Sequence, residues 1–240
     1  MSISILDFNI FSDTKGLLIN EIFRRSGKTH IISGNPEVLF NGYYNEDLNA
    51  DFKAEESIII PDGVGVILVS KLLRTPVKEK IAGIEVMQEI IKTCSEEGKS
   101  IFLLGAKKNI VEKCIENLEE HYPTLSIAGF NDGYFDINNC DELIEKINSS
   151  EAQVLFVAMG CPRQEKFIIN YMDRLKCKVF MGVGGSFDVI AGSVNRAPKW
   201  MITLGLEWLY RVSKEPWRIK RLNVIPKFIL LALKHNKRQR

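Results

Sequence analysis

The 240-residue sequence predicts an α/β fold: a Rossmann-like, mostly parallel sheet with helices on both faces, plus a basic helical appendage at the C-terminus. Three observations carry this. Short, nearly continuous apolar runs such as SIII and VLFVAM suit strands buried on both faces. Amphipathic stretches alternate with those runs. Polar, glycine-rich turns follow the runs, where open α/β sheets bind ligands.

In chain order the expected strands are Thr29–Ser33, Ser57–Pro61, Ser100–Gly105, Leu125–Gly129, Val154–Ala158 and Lys178–Gly182. Their apolar residues run uninterrupted for four to six positions, the length of a buried strand. Helices are expected over Ile84–Glu97, Ile110–Tyr122, Asp141–Ser149 and Glu165–Arg174, with a further apolar pattern from Val64 to Leu73. Six turns then point to one crevice: SGNPEV (Ser33–Val38), PDGVGV (Pro61–Val66), GAKKN (Gly105–Asn109), NDGYF (Asn131–Phe135), GCPRQEK (Gly160–Lys166) and GVGGSFD (Gly182–Asp188). Pro198, Pro216 and Pro226 punctuate the last stretch, so the chain divides into a core over 1–195 and a helical appendage over 196–240.

Charge separates the same two parts. Residues 196–240 hold 12 Lys/Arg against 2 Asp/Glu, while the remainder carries a net −8. A basic segment on an acidic core suits an anionic partner. Its basic residues interleave with Trp, Phe and Leu, and FILLAL (Phe228–Leu233) suits a lipid surface better than a nucleic-acid backbone. No apolar run approaches the ~20 residues of a membrane span, so the expected association is peripheral. MSISILDFNIFSD lacks the basic start of a signal peptide. Five widely spaced cysteines without a C-x-x-C fit reduced thiols, and the scattered His30, His121 and His235 offer no metal site.

Several phosphate motifs fail on inspection. Gly27-Lys28-Thr29 and Gly98-Lys99-Ser100 lack the earlier glycine of a phosphate loop, since Ile22 and Thr93 stand there; each is read as a turn into a strand. Phe187 stands where a dinucleotide fingerprint needs its third glycine, which argues against a nicotinamide cofactor. Asp62 directly follows a strand, where it is either an N-cap or a general base. In GCPRQEK, Gly160 permits close approach, Pro162 suits a helix start, and Arg163, Gln164 and Glu165 lie at a helix N-terminus; anion binding and simple capping are both open there. The GVGGSFD turn places Gly184 against a ligand or in a tight turn, with Asp188 positioned to accept from a base or a ribose.

Together, SGNPEVLF, PDGVGV, EKIAGIEVM, IFLLGA, GYF, VAMGCPRQEKFI and the stretch GVGGSFDVIAGSVNRAPKWMITLGLEWLYRVSKEPWR resemble the WecG/TagA/CpsF family of bacterial glycosyltransferases, from roughly Asn9 to Arg221. The resemblance implies a metal-independent, inverting transfer from a UDP-sugar to polyprenyl-diphosphate-linked N-acetylglucosamine, without a cofactor, at the cytoplasmic face of the membrane. N-acetylmannosamine is the implied sugar, in wall teichoic acid or other cell-surface polysaccharide synthesis. The alternatives are another UDP-hexose, in capsule or exopolysaccharide synthesis, or a non-catalytic nucleotide-binding protein at the membrane surface. Homo-oligomerisation is left open. The resemblance implies Asp62 as catalytic base, Ser33, Asn35 and Gln164 in the pocket, and Arg211, Arg218 and Arg221 as appendage arginines that complete the site. The candidate UDP-sugar contacts are Gly105, Asn131, Asp132, Gly160, Pro162, Arg163, Gln164, Glu165, Gly184 and Asp188. Lys80 stands where the family often has Arg, and Asp132 where it often has His; both differences bear on the donor sugar.

Overall fold

A computed structural model describes residues 2–203, 205–214 and 222–239. Its strands are β1 (Ser2–Ile5), β2 (Phe8–Phe11), β3 (Thr29–Ser33), β4 (Ser57–Ile60), β5 (Ser100–Gly105), β6 (Ser126–Asn131), β7 (Val154–Ala158) and β8 (Val179–Gly182). They form one sheet in the order β1-β2-β4-β3-β8-β7-β5-β6. All pairings are parallel except β1 with β2. The six expected strands are therefore present, with β6 starting one residue later and running to Asn131. Both lysine-containing decoy turns lead into strands, β3 and β5, as read.

The β1–β2 hairpin is an addition that sequence reasoning did not place. Its two-residue turn puts Leu6 at φ 58° and Asp7 at φ 64°, the positive pair of a type I′ turn. Such turns are usually signalled by Asn-Gly or Asp-Gly, and Leu-Asp gives no such cue. Leu6 tolerates the left-handed backbone because its side chain is buried.

Alternation along the strands builds the two layers. Ile31, Ile58, Ile60, Leu103, Phe156 and Met181 face one side, where they meet α1 (Lys15–Arg24), α5 (Gly83–Glu97), α6 (Lys108–His121) and α9 (Ser186–Ile190). Ile32, Ile59, Phe102, Leu104, Leu155 and Phe180 face the other. That side carries α2 (Pro36–Tyr44), α3 (Glu46–Lys53), α4 (Val64–Leu72), α7 (Asp141–Ser149) and α8 (Arg163–Tyr171). Helices α2 and α3 begin at Asn35 and Asn45, whose side chains cap the first amides.

Beyond residue 196 come α10 (Lys199–Thr203), α11 (Glu207–Lys214) and α12 (Val224–Gln239). One expectation is corrected here. Pro226 sits in the first turn of the 16-residue α12, where a missing N–H costs nothing, and so marks the start of that helix. Phe228–Leu233 is not simply a lipid-facing run. Phe228 and Ala232 are buried, packed with Leu39, Val66 and Val69 against α2 and α4. The His235 ring also lies 3.2 Å from the Asp7 carboxylate and edge-on to Tyr43, holding α12 to the hairpin turn and α2. Helical spacing explains the error: residues four apart share a face, so one side of FILLAL enters the core while Leu230 stays 54% exposed. Among the described residues no helix is long and apolar enough to cross a membrane.

Candidate active site

The carboxyl ends of β3, β4, β7 and β8 open onto one cleft of about 320 Å³. Four of the six expected turns line it. They supply Ser33, Asn35, Glu37, Asp62, Gly63, Cys161, Gln164, Gly184 and Ser186, with Lys80 from the segment before α5 and Gly83 and Ile84 from its start. Glu207, Trp208, Val212, Leu222 and Ile225 close the mouth, so the basic end of the chain forms part of the cleft wall.

Asp62 stands at the β4 end. The N-cap alternative does not hold, because the cap of α4 is Gly63 at φ 83° and no side chain caps that helix. The Asp62 carboxylate instead approaches the first turn of α5, with the Gly83 N–H 3.5 Å from Oδ2. Gly83 is required here: a Cβ at this position would run into the Ser33 hydroxyl and lie 3.7 Å from Asp62 Oδ2. Ser33, at the end of β3, and Asp62, just past the end of the neighbouring β4, are therefore brought together beneath one helix N-terminus.

Asn35 is both a cap and a cleft residue. Its Oδ1 accepts from the Glu37 and Val38 amides at 3.0 and 3.1 Å, which leaves the Nδ2 end for a ligand. Gln164 is buried and largely occupied. Its Oε1 accepts from the Gly160 amide (3.2 Å) and the Gly184 amide (3.0 Å), and its Nε2 donates to Glu165 at 2.8 Å. It borders the cleft, yet its main work is to clamp the β7–α8 and β8–α9 turns together. Gly184 (φ 52°) and Gly160 (φ 77°) supply backbone that the clamp holds in left-handed conformations.

Other candidate contacts fall elsewhere. Gly105, Asn131 and Asp132 lie at the ends of β5 and β6, the far edge of the sheet, and do not line the cleft. Asp132 Oδ1 accepts from the Tyr134 amide, while Lys146 donates to Asn131 Oδ1. Arg163, read as an anion ligand, donates to the carbonyls of Gly133 (2.7 Å) and Phe135 (2.5 Å) and stacks on the Phe135 ring. Pro162 is the cap residue of α8, preceded by a cis peptide, and Glu165 points into the interior. Asp188 sits in the short α9, half-buried and outside the cleft lining. The Arg211 side chain and all of Arg218 and Arg221 lie outside the described residues. Sequence position gave these turns equal weight; strand order separates them, because β5 and β6 stand beyond β7.

Lys80, expected from the resemblance to bear on the donor sugar, lines the cleft. Trp208 and Ile225 carry no such signal in the sequence, where they belong to the apolar residues of the basic tail, and only the path of α11 turns Trp208 toward the site. Cys161 also reaches the cleft, but burial pushes its thiol up to about 12, which removes it as a nucleophile. Among the described residues, no three His, Cys, Asp or Glu side chains cluster as a metal site requires.

The clamp yields a first prediction. A Cβ on Gly182 would lie 2.5 Å from Gln164 Nε2 and 3.0 Å from its Cδ. Gly182→Ala is therefore expected to destabilise the fold by about 1–3 kcal/mol, measured by denaturation. A variant with unaltered stability would show that Gln164 moves freely.

The sequence profile of the glycosyl transferase WecG/TagA/CpsF family matches residues 3–240. The chain belongs to this family. An N-acetylglucosaminyldiphosphoundecaprenol N-acetyl-beta-D-mannosaminyltransferase of Bacillus subtilis (strain 168) is 40% identical over 206 residues, 86% of this chain and 79% of the relative. Proteins of the same name from Bacillus spizizenii (37% over 207 residues; 86% and 79%) and Staphylococcus aureus strain MW2 (35% over 199; 83% and 77%) are also similar. The chain is a glycosyltransferase, and the cleft at the strand ends is where the family's chemistry is to be sought.

Proposed function

We propose that the chain moves N-acetylmannosamine from a UDP-sugar to polyprenyl-diphosphate-linked N-acetylglucosamine, with inversion and without a metal ion. The observation that carries this is the Asp62 carboxylate, placed in the cleft wall beside Ser33 rather than at the cap of α4. The activity for which the relatives are named supplies the sugar and the acceptor.

In this reading the acceptor hydroxyl oxygen attacks the anomeric carbon and gives its proton to Asp62. The bond from that carbon to the UDP oxygen breaks on the opposite face, which inverts the centre. The charge growing on UDP needs preorganised donors. Lys80 in the cleft wall is one; Arg211, Arg218 and Arg221 are the proposed others, since a guanidinium fork binds phosphate oxygens bidentately.

In this reading the acceptor's lipid calls for the enzyme to work at the inner face of the membrane. Exposed Val64, Leu68 and Leu72 form a stripe along α4, and Leu230 is exposed on α12, which packs on α4. Lys227, Lys234, Lys237 and Arg238 are exposed on the same α12. Apolar and basic groups side by side support peripheral binding to anionic lipid, with about 1 kcal/mol from each basic residue at the surface.

Two measurements test the reading. Incubation with a panel of UDP-sugars and a lipid-diphosphate N-acetylglucosamine analogue should give, by mass, an added N-acetylhexosamine; a simple hexose would instead assign another donor. Excess EDTA should leave the rate unchanged, and a loss restored by Mg²⁺ or Mn²⁺ would refute metal independence.

A further inference from the structure

One wall of the cleft runs from Lys78 to Glu85 and is irregular up to Ala82, yet it is braced from outside along its length. The Lys78 amide donates to the Ser12 carbonyl (3.0 Å), and its ammonium meets both Asp13 carboxylate oxygens at 2.9 Å. Glu79 Oε2 accepts from the Lys15 amide (2.9 Å), and the Ile81 amide donates to the carbonyl of Pro61, next to Asp62 (3.1 Å). Lys80, Ala82, Gly83 and Ile84 are left to line the cleft.

Glu85 ends this wall, in the first turn of α5 just past the glycine whose amide faces Asp62. Arg196 Nη2 donates to Glu85 Oε1 at 2.7 Å, while Lys15 Nζ lies 3.7 Å from Oε2. Arg196 comes from far along the chain. It follows the turn that closes α9, where the Ser193 and Val194 amides donate to the Asp188 carbonyl, and it precedes buried Ala197 and α10. Beyond it, α11 brings Glu207, Trp208 and Val212 to the mouth of the cleft. One contact therefore joins the root of the mouth segment to the wall that carries Lys80.

Stability does not explain this contact. The two side chains are 24% and 30% exposed, and ion pairs that water can reach add little to a fold. Arg196 Nε is also buried without a hydrogen-bond partner, so the guanidinium leaves one donor unmet while it holds Glu85. We propose that Arg196 and Glu85 are a positioning pair, which sets the mouth segment and the Lys80 wall in one fixed relation so that the donor's diphosphate meets both. Neither residue lines the cleft, so the pair acts through Lys80, Gly83 and α11. Its ligand rests on the transferase reading above; its geometry does not.

The test uses the full chain. Arg196→Met keeps the apolar stem and removes the contact, so hydrogen–deuterium exchange should quicken in α10, α11 and the 78–85 wall and stay unaltered in β5, β6 and β7. The melting temperature should fall by no more than about 3 °C. UDP should bind about tenfold more weakly by calorimetry, and the donor KM should rise by a similar factor with kcat nearly unchanged. Only Nη2 engages Glu85, so a lysine can supply the same contact, and Arg196→Lys should stay within about threefold of wild type. Glu85→Gln weakens the pair from the other side and should quicken exchange in the same segments. Combined with Arg196→Met it should add little, as expected for partners in one contact. Unaltered exchange in Arg196→Met would overturn the proposal, as would faster exchange across the whole sheet or fully additive losses in the double variant. Should Arg196→Met fail to fold, Glu85→Gln and Arg196→Lys still decide. A wild type that neither binds UDP nor transfers sugar would sink the transferase reading alone, because the exchange measurement needs no ligand.

Discussion

Asp62→Asn is expected to lower kcat by about 10²–10⁴-fold, the usual contribution of a positioned general base. Asparagine keeps the size and the polar contact with the Gly83 amide, so the fold and the affinity for UDP should be unaltered. Such a split, kcat lost with binding retained, marks an interaction made only as the proton moves. The structure sharpens this expectation, because α4 is capped by Gly63 and asparagine keeps an oxygen to accept from the first amide of α5, so the substitution removes the base without removing a helix contact. Ser33→Ala, which removes the neighbouring hydroxyl and keeps the carboxylate, serves as the control and should cost far less. An Asp62→Asn enzyme within a few-fold of wild type would remove Asp62 from the chemistry and turn attention to Glu37 and Glu207, the other carboxylates of the cleft.

The second large effect is on stability. Phe228→Ala should destabilise the protein by about 3–5 kcal/mol, as truncation of a fully buried aromatic ring does. From the sequence, removal of residues 196–240 is expected to leave a folded, UDP-binding core. The packing of α12 argues for the opposite outcome. Phe228 and Ala232 complete the cluster formed by Leu39, Val66 and Val69, so the shortened chain would expose this face of the sheet's helical layer. Denaturant unfolding of the point variant decides between the two: a loss under about 1 kcal/mol would mean that α12 is a detachable appendage. Leu230→Ala, on the exposed side of the same helix, should leave stability nearly unchanged and weaken binding to anionic vesicles.

Much of the fold was legible because its strands are buried on both faces. Runs such as VLFVA can be little else, and the amphipathic stretches between them dictate crossovers that pack on the sheet. The hairpin was not legible. Its alternation is only four residues long on each side, and its turn uses Leu6-Asp7, which adopt positive φ only because the packing of Leu6 enforces it. At the site, the Asp62 and Ser33 turns were readable as strand ends. That Arg163 spends its guanidinium on two carbonyls was not, since its partners Gly133 and Phe135 are about thirty positions away.

By itself the sequence determined which segments are strands, which turns carry polar chemistry, and that the charge is gathered at one end, because these depend on local periodicity and residue type. Only the tertiary structure decided which turns share a cleft, for that depends on strand order: β3 and β4 lie beside β8 and β7, while β5 and β6 are carried to the far edge. It also decided the two faces of the final helix. A run of apolar residues looks alike whether lipid or protein covers it, and the covering of Phe228 is chosen by where α2 and α4 leave a gap, a long-range fact that no local window contains.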